Sequence, residues 1–165
     1  MNDISLATMI FRLVVAFVLS GVIGFEREWY RKLPGLRILV LVGLGSALLT
    51  LTSFRVRVIF PSALVDPSHI AAQIIIAIGL LGAASIIRSR AEASGITTAA
   101  TTFIVAGIGM ASAFGFYAEA IAATILTLVA FYGLSYAIFF IRQHSPAREE
   151  EKKEGEVSNT DTVTK

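Results

Sequence analysis

The chain has 165 residues, of which 55% are hydrophobic and only 16% charged, and its formal net charge at pH 7 is +2. A water-soluble domain carries about a quarter charged residues, so this composition excludes that class and indicates an integral membrane protein. The absence of cysteine excludes disulfides, thiolate metal sites and a cysteine nucleophile.

Five apolar runs follow one another. Helix one is predicted over Ile4–Phe25, helix two over Leu36–Phe54, helix three over Ile70–Ile87, helix four over Thr97–Ala113 and helix five over Tyr117–Ile141. At about 1.5 Å per residue each approaches or reaches the length of the hydrocarbon layer, and apolar residues occupy nearly all sides, as in lipid-embedded helices. The run before helix one, Met1 to Leu6, holds Asp3 and no basic residue, and no small-residue cleavage site follows. The first apolar run, helix one, therefore reads as a retained anchor rather than a cleaved signal. Between helices one and two, Glu26–Gly35 holds two acids, Arg27, Arg31, Lys32, the pair Trp29-Tyr30 and Pro34-Gly35, as where a chain leaves lipid, turns and returns. The other connections are Arg55–His69, Arg88–Ile96 and the turn at Phe114-Gly115-Phe116. The expected architecture is therefore all-α and polytopic, with a transmembrane domain over 1–141. Residues 142–165 are expected to be a disordered charged tail, because Glu149 to Glu154 and the Ser, Asn and Thr that follow bury too little apolar surface to fold.

Five crossings place the termini on opposite sides. One side receives Arg27, Arg31, Lys32, Arg37, Arg88, Arg90, Arg142, Arg148, Lys152 and Lys153, and the other only Arg55 and Arg57. The bias assigns the first side to the cytoplasm, with the amino terminus outside and the carboxy terminus cytoplasmic.

Arg12 is the sharpest anomaly, expected near the middle of helix one, where insertion costs about 2.5–3.5 kcal/mol unless a partner or water is found. Helical phase puts it in one sector with Leu19, Ile23 and Glu26, beside Ala16, and so facing the bundle. It is either a clamp on a carbonyl, a hydroxyl or Gln73, or a counter-ion in a polar cavity with Gln73, Thr101 and Thr102. No carboxylate is expected at its depth, which disfavours a Mg²⁺ or Ca²⁺ path through one chain. At the cytoplasmic face, Glu26, Arg27, Arg37, Arg88, Arg90, Thr97 and Thr98 collect near the amino termini of helices two and four. That chemistry suits an anion or partner, or else simple capping and lipid-headgroup anchoring. Small residues recur four apart in Ala16, Ser20 and Gly24 and in Gly79 and Ala83, and Gly107 shares a face with Ala99 and Ala111. Such stripes permit close helix packing, either within a subunit or in a homodimer seam. No serine triad, nucleotide loop, metal motif or nucleic-acid module is present, and neither a metal nor a cofactor is expected.

Several separated motifs resemble the MgtC/SapB membrane family in order and spacing: Arg12 to Ala16, Gly21 to Glu28, Gly35-Leu36-Arg37, Ile70 to Gln73, Gly79 to Ala83 and Gly95 to Thr101. The likeness covers residues 10–130. It implies a multi-pass prokaryotic inner-membrane protein of about five helices, tied to growth in low magnesium. It also implies contacts with other membrane machines, the F-type ATP synthase among them. The family-like polar positions are Arg12, Glu26, Arg27, Arg37, Gln73, Thr97 and Thr98. The chain departs from the family pattern at His69, Ile76-Ala77 and Ala84. Several members carry a further soluble domain of ACT-like fold where this chain has its short tail, so sensing through such a domain is not expected. The function expected is that of a non-enzymatic regulator acting through helix contacts as a homodimer or other homo-oligomer. The alternatives are a component of an ion transporter and an anion or lipid sensor.

Overall fold

The computed structural model describes residues 5–59, 67–89 and 92–143, and within them it is helical without strands. The helices are α1 (Leu6–Trp29), α2 (Leu36–Ile59), α3 (Pro67–Arg88), α4 (Glu92–Phe114) and α5 (Tyr117–Gln143). The charged tail from residue 144 onward lies outside the described residues. Residues 5–128 belong to one compact unit, and a second begins at Val129 within α5.

All five predicted helices are present, but most run further than expected. Helix α1 continues through Glu26, Arg27 and Glu28 to Trp29, so the first loop is shorter than Glu26–Gly35. Charge signals exit from lipid but does not break a helix; backbone geometry does. Here Arg31 takes the left-handed conformation at φ 51°, the Lys32 N–H donates to the Arg27 carbonyl at 2.9 Å, and the Arg31 N–H donates to Glu28 at 3.0 Å. That is a Schellman termination with arginine where glycine is usual. At its start, the Ser5 hydroxyl accepts from the Thr8 N–H. Helix α2 runs on to Ile59 and takes Arg55 in; α4 starts at Glu92, so Thr97 and Thr98 lie in its second turn rather than at its exposed end.

Close contacts fix the directions. Gly24 sits on the Leu36 backbone, Ser46 of α2 bonds Ala106 of α4 and Phe54 meets Phe114, while Gly82 of α3 faces Ala99 of α4. Helices α2 and α4 therefore run parallel, and α1 and α3 run antiparallel to them. The spans Leu36–Val56 and Ser94–Phe114 are 39% and 44% buried against 17% for Leu6–Trp29, so α2 and α4 form the middle of the α1–α4 bundle. These three spans are long and apolar enough to cross a membrane, and Ala72–Arg88 and Tyr117–Gly133 are shorter apolar stretches.

The packing is that of a protein in lipid. Phe11, Val14, Phe17, Val18, Val22 and Phe25 of α1 point outward, whereas its buried side holds Ala16, Ser20, Ile23 and Gly24. The tightest crossing joins Ser20 of α1, Gly43 of α2 and Gly109 of α4. A Cβ at Gly43 would overlap the Ser20 hydroxyl, and one at Gly109 would overlap the Gly43 carbonyl oxygen. Ser46 locks this crossing, its hydroxyl 3.0 Å from the carbonyls of both Gly43 and Ala106. Close backbone approach gives the dispersion contact that replaces hydrophobic drive between helices in a bilayer. Two apolar clusters flank it, Ala16, Ala47, Leu51 and Ala113 on one side and Ile74, Ile78 and Ala106 on the other.

Candidate functional site

At the end of the bundle that carries the α1–α2 loop, three side chains are committed to backbone. Arg27 is 4% exposed and its Nη2 donates to the Leu33 carbonyl at 2.5 Å. The Thr98 hydroxyl donates to the same carbonyl at 3.0 Å, so α1 and α4 both hold the loop through one oxygen. Glu28 reaches from the last turn of α1 to the start of α2, where its Oε2 accepts the Leu36 N–H at 3.2 Å. A carboxylate against the positive end of the helix dipole is a favourable cap. The start of α2 is thus met by an anion from the same chain, the capping alternative of the two open for the helix end beside Arg37. Arg37 itself is exposed, and Arg27 is withdrawn from the surface set with the buried Glu26, whose Oε2 has no partner among the described residues. Glu28 and the Leu33 carbonyl were missed in the sequence, the first for lack of a local capping pattern and the second because it is backbone.

Beside this junction lies a cleft of about 520 Å³ between the loop, α2, α3 and α4. Arg88, Ser89, Ser94 and Gly95 line it around the α3–α4 connection, Leu81 and Ser85 on α3, Ile38 and Val42 on α2, and Leu33, Pro34, Thr98 and Thr102 along the loop and α4. Of the predicted surface residues the structure brings Arg88 and Thr98 to this cleft. Thr97 is exposed outside it, and Arg90 lies outside the described residues.

At the other end of the bundle Arg12 meets α4. Helix α4 terminates as α1 does, with Gly115 at φ 88°. The Gly115 N–H donates to Ser112 at 3.1 Å and the Phe116 N–H to Ala111 at 2.9 Å. That satisfies two of the terminal carbonyls and leaves Ala113 without an intrahelical donor. Arg12 Nη1 supplies it at 2.6 Å. The guanidinium packs on Gly115, where a Cβ would stand 3.0 Å from Nη2. Arg12 is the seventh residue of α1, about 9 Å along it, and level with the last turn of α4. It is therefore nearer the bundle end than the middle of α1, its Nε buried and without a partner among the described residues.

Gln73 does not join it. It is exposed on α3, next to Ile74, which packs toward α4. Thr101 and Thr102 are buried and donate to the i−4 carbonyls of Thr97 and Thr98 at 2.7 and 2.9 Å, so their hydroxyls are spent within α4. A continuous polar seam of Arg12, Gln73, Thr101 and Thr102 is thus not assembled in this bundle. The small-residue stripes divide in the same way. Ala16, Ser20 and Gly24 face the bundle, while Gly79, Ala83 and Gly107 are exposed, with nothing within 4 Å of a Cβ at Gly79 or Gly107. The glycines at the α1–α2–α4 crossing are Gly43 and Gly109, signalled in the sequence by Gly43-Ala47 and by Ala106-Gly109-Ala113 at helical spacing. Among the described residues no three His, Asp or Glu side chains gather as a metal group.

The MgtC family profile matches residues 13–137. Protein MgtC of Salmonella typhimurium (strain LT2) is 39% identical over 144 residues, covering 87% of this chain and 60% of the relative. A putative magnesium transporter, YhiD, of Escherichia coli K12 is 38% identical over 74% of this chain and 59% of its own length. Protein SapB of Bacillus subtilis (strain 168) is 33% identical over 87% and 62%. The chain thus spans about 60% of the length of the relatives it matches. No solved structure matches it.

Proposed function

Since the chain belongs to the MgtC family, we propose that it is a non-enzymatic membrane regulator linked to magnesium adaptation, acting through helix contacts with itself or with a partner membrane protein such as the F-type ATP synthase. The observation that carries this reading is where the polar groups go. Arg12 and Arg27 donate to backbone carbonyls, Glu28 accepts from a backbone N–H, and Ser46, Thr50, Thr101, Thr102, Ser112 and Thr124 donate to carbonyls of their own or a packed helix. A path for a divalent cation wants free oxygen groups, carboxylates above all, to meet the ion or the waters it retains. A bundle whose polar groups close its own helix ends presents its outer faces instead. The excess of Arg and Lys in the α1–α2 and α3–α4 connections supports a cytoplasmic position for that end of the bundle, in an inner membrane.

The magnesium transporter reading is the second, supported by the name of the Escherichia coli relative. Photo-crosslinkers at the exposed positions Gln73, Leu80 and Ile87 of α3 separate the two in native membranes. The regulator reading predicts discrete adducts with a second copy or one partner, lost together with growth in low magnesium when Leu80 is made bulky and charged. Growth that survives such a change with the adducts gone would overturn it.

A further inference from the structure

The lining of the cleft beside the α1–α2 loop changes along α3 from polar at the α3–α4 connection to apolar further into the helix, where Leu81 is open to the bilayer. On α3, Arg88 stands at the connection and Leu81 seven residues before it, about 10 Å along the axis. On α2, Ile38 and Val42 continue the apolar wall. On α4 the hydroxyls that line it are already bonded, Thr98 to the Leu33 carbonyl and Thr102 to the Thr98 carbonyl, so this wall offers chiefly carbon to an occupant. The α3–α4 connection is different. Arg88 is exposed, and neither it nor Ser94 has a hydrogen bond or ion pair among the described residues. Along the α3–α4 connection two arginines, Arg88 and Arg90, outnumber the one acid, Glu92.

A space of about 520 Å³ in the side of a helix bundle falls within the usual range of small-ligand pockets, and in a bilayer the molecules at hand to fill it are lipids. Basic pockets between spanning helices bind anionic headgroups, because the guanidinium meets phosphate while the chain beneath it stays in an apolar setting. We propose that the cleft seats one anionic phospholipid, its phosphate at Arg88 and Ser94 and its proximal acyl segment on Ile38, Val42 and Leu81. A free phosphate suits Arg88 and Ser94 but leaves the apolar wall of Ile38, Val42 and Leu81 uncovered. The bound lipid touches Thr98 and Pro34, and so bears on the junction where α1 and α4 hold the Leu33 carbonyl. This assignment does not depend on whether the protein regulates or transports.

The test is native mass spectrometry of the full chain in detergent, titrated separately with phosphatidylglycerol, phosphatidylcholine and inorganic phosphate. One phosphatidylglycerol per chain is expected at low lipid excess, retained about tenfold better than phosphatidylcholine. Arg88→Ala lowers that retention about tenfold, while Arg55→Ala, an exposed base elsewhere on α2, leaves it unchanged. Leu81→Trp changes the apolar α3 wall of the cleft with every charge kept and lowers it too, with helicity by circular dichroism verifying the fold. Equal retention of the two lipids, or retention indifferent to both Arg88→Ala and Leu81→Trp, overturns the assignment. So does phosphate binding that depends on Arg88 while phosphatidylglycerol retention ignores Leu81→Trp, which makes Arg88 and Ser94 a free-anion site.

Discussion

Replacing Arg12 with alanine removes the donor that closes the end of α4, and the structure sets the size of the effect. The bond from Nη1 to the Ala113 carbonyl is 2.6 Å long and charge-assisted, worth about 1.5–3 kcal/mol. The cation also complements the negative end of the α4 dipole by about 0.3–1 kcal/mol. Against this, removal relieves the partial desolvation of the guanidinium. At a helix centre that relief would be about 2.5–3.5 kcal/mol, but Arg12 lies only about 9 Å along α1 and recovers a fraction of it. The bond wins, and Arg12→Ala is expected to destabilise the bundle by about 1–3 kcal/mol. Gly115→Ala supplies the internal check. It imposes left-handed backbone strain at φ 88°, about 1–2 kcal/mol, and adds contact with Nη2. The strain persists in the Arg12→Ala background but the contact does not, so the two changes together cost less than their sum by more than about 0.5 kcal/mol. Reversible denaturant titration in mixed micelles, followed by circular dichroism, measures all four corners of the cycle. A stable Arg12→Ala protein with strictly additive behaviour refutes the clamp.

Arg31→Gly relieves a left-handed arginine and is expected to stabilise by up to about 1 kcal/mol, while Arg31→Val destabilises; the same titration compares them. Gly109→Leu forces α4 away from the Gly43 carbonyl and is expected to cost more than about 4 kcal/mol or abolish folding, whereas Gly107→Ala, open around its Cβ, stays within about 1 kcal/mol of neutral. The readout is the yield of monodisperse protein on size exclusion. Glu28→Ala uncaps α2 and costs about 0.5–2 kcal/mol, seen as faster hydrogen exchange at the Leu36 amide than in the wild-type protein, with amides deep in α2 unchanged.

Five helices and their order were legible because apolar runs of membrane length are long, strong signals. Their ends were not. The charges from Glu26 to Glu28 read as a loop, yet they fit a helix whose buried face simply continues, and termination rests on a left-handed arginine that no glycine announces. The inward turn of Arg12 was legible from its phase with Ala16 and Ile23. Its partner was not, because a terminal carbonyl carries no side-chain signature. The same limit hid the Leu33 carbonyl that joins Arg27 to Thr98. Ala16, Ser20 and Gly24 lie on the buried face of α1, but identical spacing at Gly79 and Ala83 faces outward. Spacing records that two helices are able to approach, and only the three-dimensional arrangement assigns the neighbour.

The central claim is that the polar groups of this bundle fasten its own helices rather than line a route for ions. Magnesium flux into proteoliposomes holding the purified full chain, with an ionophore as positive control, tests it most directly. The account predicts uptake equal to that of protein-free vesicles. Saturable magnesium uptake that disappears with Arg12→Ala, in a variant that remains folded, would contradict it.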